Sequence, residues 1–251
     1  MQATGYRATV EYDGSNYYGF QRQIPEQPTI QGELEKALET IAGKPVVVHG
    51  AGRTDSGVHA CGQVISFDLS WSHGLAALQR AINANLPADI VLLDIGEAAA
   101  DFHPRFDARR RAYCYYVYNA PVRSPLRRFR SWHLSQPLDV AAMNAAAAVL
   151  VGEYDFATFG QPPQGENTIR IVHSAEWRRE DEMVVFSIEG TAFLQRMVRS
   201  IVGSLRLVGD GRWTVADFVD AFRACDRDRA GQTAPPDGLY LTAVIYDEEH
   251  R

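Results

Sequence analysis

"KPVVVHGAGRTDSGVHACGQVISFDLS", residues 44–70, sets the pattern of the first half of the chain. Its apolar ends read as two strands, Pro45 to His49 and about Val58 to Leu69, joined through glycines at 50, 52 and 57. The stretch "GAGRTDSGVHA" (50–60) therefore lies between strands, where glycine lets the backbone bend and leaves room for a large substrate. In an extended segment residues two apart share a face, so Arg53 and Asp55 point the same way and the arginine would hold the aspartate ionised. Taken alone, this is first a salt-bridged turn with Ser56-Gly57 as hairpin punctuation, and only second a chemical centre.

Working outward, "YRATVEYDGSNYYGFQ" alternates as a strand through Tyr12 and turns at Asp13-Gly14, and "PTIQGELEKALETIAG" has helical spacing up to Gly43. "HGLAALQRAINANLP" is a second helix and "DIVLLDIGEAA" another strand, so the first hundred residues read β-α-β-β-α-β. The second half repeats the order. "RAYCYYVYNA" is an aromatic strand, "PLDVAAMNAAAAVLVGEYDF" a helix, and "IRIVHSAEWRREDEMVVFSIEG" a hairpin turning near Glu180 to Glu182. A helix over "AFLQRMVRSIVGSLRLVGDG", another opened by Thr214, and a strand in "LYLTAVIYDEE" follow. The least ordered segments are expected at Gly160 to Asn167 and Pro121 to Arg130.

The 251 residues, 46% of them hydrophobic, suffice for one large domain or two small ones around a sizeable core. No run approaches the ~18 apolar residues of a membrane helix, and the first residues lack a basic and then apolar leader pattern, so a cytoplasmic protein is expected. Cys61, Cys114 and Cys225 are odd in number and have no CxxC spacing, which suggests neither a disulfide framework nor a zinc knuckle. The formal charge of −6 argues mildly against a nucleic-acid partner. Its distribution argues the other way: Asp101 to His133 holds eight arginines against two acids, +6 locally, leaving −12 elsewhere. Only Lys36 and Lys44 among the 25 basic residues are lysines, and arginine suits bidentate phosphate contact and stacking on bases; biased codon usage would give the same count.

Other readings of "GAGRTDSGVH" fail on named residues. A P-loop needs Lys and then Ser or Thr after the last glycine, where Val58-His59 stands. A dinucleotide fingerprint needs glycine in place of Asp55 and a following helix. An aspartic protease needs a second Asp-Ser/Thr-Gly, which only a homodimer could supply here. A zinc base deaminase needs His-x-Glu and Cys-x-x-Cys, and no histidine is followed by Glu two residues on.

"GAGRTDSGVHA", "FHPRFDARRRAYCYYVYN", "FLQRMVRSIVGSL", "APPDGLYL" and "VEYDGSNYYGFQRQ…TIQGELEKAL" together resemble the TruA family of tRNA pseudouridine synthases, over about residues 8 to 246. The resemblance implies isomerisation of uridine: the N1–C1′ bond breaks, the uracil turns, and C5 joins C1′. It implies no cofactor and no metal. The aspartate of "GRTD", Asp55, is the implied nucleophile. The bottom-up chemistry agrees, because an ionised carboxylate can attack the ribose or stabilise positive character there; attack on C1′, attack on C6 and a glycal route all stay open. Tyr113 matches the family's active-site tyrosine, placed to stack on the uracil, although most tyrosines of its strand should be core. Arg199 matches an arginine implied to pair with the aspartate, Leu239 an apolar wall of the uracil pocket, and Arg53 a residue implied to hold the target base out of its stack. Phe20 and Gln21 match an RNA-contacting loop, and the arginines from 105 to 130, with Arg105, Arg109 and Arg110 foremost, supply a phosphate-tracking surface.

The chain departs from the family pattern at Ala192, Gln195 and Arg196, at the rim of the implied pocket. It departs also at Ser56, whose hydroxyl could tune Asp55. The implied fold is α/β (α+β), a pseudouridine synthase fold of two ferredoxin-like β-α-β-β-α-β halves with a central cleft. Residues 1–105 would carry the aspartate and 106–251 would complete the site. The implied partner is tRNA, gripped by a homodimer, with uridines 38, 39 and 40 of the anticodon stem-loop as targets and no membrane association. Two rival readings are a catalytically silent RNA-binding protein and an aspartate-based nucleoside or glycoside hydrolase. The second has no need of the arginine-rich span.

Overall fold

The structure, a computed structural model, describes residues 3–24, 26–162 and 165–247. The chain forms two compact units, residues 1–109 with 241–251, and residues 110–240.

In the first unit, β1 (Thr4–Tyr12) shows strand periodicity: Tyr6, Ala8, Val10 and Tyr12 are buried, each next to a more exposed residue. It pairs antiparallel with β3 (His59–Leu69) on one side and with β4 (Ile90–Glu97) on the other. β3 is buried at most positions instead of alternating, as befits a strand with both faces covered. The short β2 (His49–Gly50) pairs with β3, as does β10 (Leu239–Ile245), whose residues from Leu241 onward belong to this unit. The order β4-β1-β3-β2 is that of a ferredoxin-like split β-α-β. Helix α1 (Ile30–Ala42) is capped by Thr29, whose hydroxyl accepts from the Gly32 amide, and α2 (Leu75–Asn85) packs on β4. Ile30, Leu34 and Leu38 recur at helical spacing with almost no exposure, each contributing ~1.5–3 kcal/mol of burial.

The strand expected from Pro45 shrinks to two residues. Val46 and Val48 are buried and Val47 exposed, so the alternation is present, but the hydrogen bonds go elsewhere. The Val48 amide donates to Glu35 Oε1 at 3.2 Å and its carbonyl accepts from Gln31 Nε2 at 2.9 Å. Two polar side chains of α1 thus occupy the groups a sheet ladder would use.

In the second unit, β5 (Arg110–Asn119) pairs antiparallel with β9 (Met183–Gly190), β9 with β8 (Ile169–Glu180), and β8 with β7 (Gly152–Asp155). β6 (Trp132–Leu134) runs parallel to β5. The β8–β9 hairpin turns through Asp181 and Glu182, within the expected turn. Helices α3 (Val140–Ala147), α4 (Met197–Gly209) and α5 (Val215–Arg223) pack with one another around Met143, Ile201, Leu205 and Phe218, all fully buried. The single helix expected up to Phe156 ends at Ala147, tightens into a 3-10 turn at Ala148–Leu150 and gives way to β7. Helix α4 begins later than its apolar pattern suggests, because Arg196 sits at φ 61° and the Gln195 amide donates to the Gln161 carbonyl. Pro121 to Arg130 folds around a 3-10 turn at Pro125–Arg127, with the Arg127 guanidinium 5.3 Å from the Tyr118 ring centre. Residues 163 and 164 of the other segment expected to lack order, and 248 and 249 of the expected closing strand, lie outside the described residues. Cys61, Cys114 and Cys225 form no disulfide.

Candidate active site

Asp55 lies half-buried on a tight turn in which the Val58 amide donates to the Asp55 carbonyl at 3.1 Å, with Gly57 at φ 78°. A left-handed residue at the third position is what a type II turn requires. The turn is held from the opposite side by the loop after β1. The Phe20 amide donates to Thr54 O at 3.1 Å, the Gly57 amide to Tyr17 O at 3.3 Å, and Ser56 Oγ to the same Tyr17 carbonyl at 3.1 Å. Ser56 therefore spends its hydroxyl on Tyr17. Gly19, at φ 98°, lies so close that a Cβ there would meet Thr54 O at 2.7 Å. These contacts preorganise the carboxylate on a backbone braced from two sides.

Beneath the turn is a polar network that the sequence patterns do not show. Gln63, on β3 and fully buried, donates from Nε2 to Gly52 O at 2.8 Å and accepts the Gly52 amide at Oε1 at 3.2 Å. Tyr12 Oη and Thr54 Oγ1 are 2.8 Å apart. His59, 1% exposed, accepts the Gly14 amide at Nδ1 at 3.1 Å, with Asp13 Oδ1 3.0 Å away. Only the position of His59 in "GVHA" offered a signal; Gln63 looks like any polar residue in a strand.

Arg53 is exposed and makes no ion pair with Asp55 or any other described residue, so the pairing expected from their two-residue spacing does not form. The chain at 53–55 lies outside any strand. Phe20 is 3% exposed, its ring over Gly50 and 6.4 Å from that of Tyr12, while the adjacent Gln21 is exposed. Arg105 is exposed with its guanidinium 5.9 Å from the Phe106 ring centre, and Arg109 pairs with Asp247 at 2.7 Å.

In the second unit, Tyr113 on β5 is 9% exposed and meets Phe193 edge-on, ring centres 5.2 Å apart. Arg199, in the first turn of α4, donates from Nε to the Ala234 carbonyl at 2.8 Å, while its own carbonyl accepts the Ala234 amide at 3.0 Å. This ties the helix to the segment leading into Leu239, which is buried at the start of β10. Tyr115 Oη donates to Pro235 O at 2.8 Å in that segment; burial pushes its hydroxyl well above the usual range, against the opposing effect of the nearby Arg199 charge. Arg110 pairs with Glu189 at 2.7 Å. Among the described residues no group of three His, Cys, Asp or Glu is placed to hold a metal ion, and no helix is long and apolar enough to cross a membrane.

A family profile described as tRNA pseudouridine synthase matches residues 8–107 and 146–247, which together hold both the braced aspartate turn and the α4–β10 segment. The chain belongs to this family of isomerases. Its relatives include proteins named tRNA pseudouridine synthase A. That of Rhodospirillum rubrum is 45% identical over 97% of this chain and 88% of its own length. That of Neisseria meningitidis serogroup B is 43% identical over 96% and 92%, and that of Maricaulis maris 43% over 96% and 97%. One solved structure, a Cbf5-Nop10-Gar1 complex, aligns at a TM-score of 0.35 and 13% identity over 96% of this chain and 60% of that one.

Proposed function

We propose that the protein isomerises uridine to pseudouridine at positions 38, 39 and 40 of the tRNA anticodon stem-loop, with Asp55 as nucleophile. The observation that carries this reading is the Asp55 turn, braced by backbone hydrogen bonds from Phe20 and Tyr17, within a chain of this family. A half-buried carboxylate held on a fixed backbone is suited to supply electron density to a ribose or base carbon as the N1–C1′ bond breaks. Whichever carbon it serves, the uracil rejoins through C5, which loses its hydrogen as a proton to solvent while the freed N1 takes one up. Arg53, exposed beside the turn, holds the target base out of its stack; Tyr113, Arg199 and Leu239 bind the uridine.

Gln21, Arg105, Arg109 and Arg110 contact RNA. The ion pair Arg109–Asp247 is exposed and Arg110–Glu189 partly so, and such pairs are weak enough to be traded for phosphates. Phe20 is buried, and it serves the RNA-contacting loop by fixing the position of Gln21. The protein acts in the cytoplasm, as a homodimer that grips one tRNA across both subunits. Pseudouridine mapping along tRNA treated with the protein tests the reading: new pseudouridine confined to positions 38, 39 and 40 supports it, and modification elsewhere or none overturns the assigned positions.

A further inference from the structure

The first unit carries a cleft of about 220 Å³ that Asp55 does not line. Buried Phe20 and Val48 form its floor, and its walls include Gln21, His49, Arg53, His103, Arg105 and Phe106, with no carboxylate among the lining residues. We propose that this cleft binds one unpaired nucleotide of the tRNA next to the target uridine, its base stacked on Phe106 and its phosphate held by Arg53 and Arg105. The proposal rests on the reading of tRNA as substrate.

Four observations lead there. Phe106 is 76% exposed, yet it stands on a fixed turn: the His103 amide donates to Asp107 Oδ2 at 2.7 Å, the Asp107 amide to the His103 carbonyl at 3.1 Å, and the Arg105 amide to His103 Nδ1 at 3.1 Å. A large apolar ring is thus presented to water from a hydrogen-bonded turn, and a stacked base would cover it. Second, the ring belongs to a series: Phe106 and His103 have centres 4.3 Å apart, and His103 and His49 5.5 Å apart. Burial and the neighbouring His49 push the His103 imidazole down from its usual value, which favours the neutral ring.

Third, the charge is of one sign. Arg53 has no ion-pair or hydrogen-bond partner among the described residues, and Arg105 lies over the Phe106 ring. Fourth, the two amides differ. Gln31 is committed, donating to Glu35 and Val48 and accepting from the Arg22 amide, whereas Gln21 is exposed with its amide uncommitted among the described residues. A cleft of this size has room for one planar base. Because stacking accepts any base, the occupant is set by its distance from the target and not by its identity.

The test measures tRNA affinity in an Asp55→Asn background, so that binding is read without turnover. Phe106→Ala should weaken binding roughly 5- to 100-fold with an unchanged slope of affinity against salt, and Phe106→Trp should restore it. Arg53→Ala should lower the salt slope by about one. Unchanged affinity in Phe106→Ala, or a loss that Trp does not rescue, overturns the proposal. Tritium release from uracil C5 by the unsubstituted enzyme reports separately on the isomerase reading. Release together with Phe106-independent binding removes only the cleft assignment; Phe106-dependent binding without release removes only the reaction.

Discussion

The Gln63 side-chain amide pairs with both backbone groups of Gly52, donating to its carbonyl at 2.8 Å and accepting its amide at 3.2 Å. A buried side chain thereby does for the chain entering the Asp55 turn what a neighbouring strand would otherwise do. Gln63→Leu leaves both groups unpaired, at ~1–3 kcal/mol each. Urea denaturation should show a loss of about 2–6 kcal/mol, and kcat should fall more than KM for tRNA rises, because Gln63 positions the turn without touching substrate. Gln63→Glu can still accept the Gly52 amide but sets a carboxylate oxygen against the Gly52 carbonyl, so it should be destabilised as well.

Gly19 and Gly43 separate backbone strain from close approach. Both have positive φ, 98° and 68°, so alanine strains either by roughly 1–2 kcal/mol. A Cβ at Gly43 meets nothing within 4 Å, whereas one at Gly19 meets Thr54 O at 2.7 Å and the backbone of Asp55 and Ser56 at 3.3 Å. Gly43→Ala should therefore lose stability and keep its kcat. Gly19→Ala should lose both, with kcat down about tenfold or more from a displaced carboxylate. Equal kcat in the two variants would show that the approach of Gly19 does not position Asp55.

Glu189 holds Arg110 at 2.7 Å, so a phosphate bound by Arg110 would have to displace it. Glu189→Gln should tighten tRNA binding a few-fold at low salt and steepen the slope of log affinity against log salt by roughly one. Fluorescence anisotropy titrations at several salt concentrations would measure both. A slope equal to that of the wild type would remove Arg110 from the phosphate-contacting set.

Helix α5 opens with a reciprocal cap: the Asp217 amide donates to Thr214 Oγ1 at 3.1 Å, and the Thr214 amide to Asp217 Oδ2 at 2.7 Å. The Thr214 amide, and then its hydroxyl, hold the Asp217 carboxyl below its usual value of 3.8. A depressed carboxylate stabilises the folded state above its unfolded value, and that contribution is lost as pH falls through the folded one. Asp217→Asn should thus melt lower than the wild type near neutral pH, with the gap closing below about pH 4. A gap independent of pH would show that the carboxylate charge does not matter to the cap.

Much of this fold was legible because it rests on local periodicity. β1 alternates at Tyr6, Ala8, Val10 and Tyr12, α1 repeats apolar residues at Ile30, Leu34 and Leu38, and Thr214 marks the start of α5. What the sequence hid is non-local. Gln31 and Glu35 divert the hydrogen bonds of Val48, and no pattern within residues 45–49 announces that. The strand at 152–155 lay concealed behind an alanine-rich run that reads as one helix. At the site, Asp55 was visible through its motif, but its bracing by Phe20, Tyr17 and Gln63 joins segments far apart in the chain. The spacing of Arg53 and Asp55 implied an ion pair only for an extended chain, and the chain there is not a strand.

The role of Asp55 is tested most directly by release of tritium from uracil C5 of tRNA, compared between the wild type and Asp55→Asn. The wild type should release it, and Asp55→Asn should be slower by at least about a thousandfold while still binding tRNA. Equal release from the two proteins would contradict Asp55 as the nucleophile.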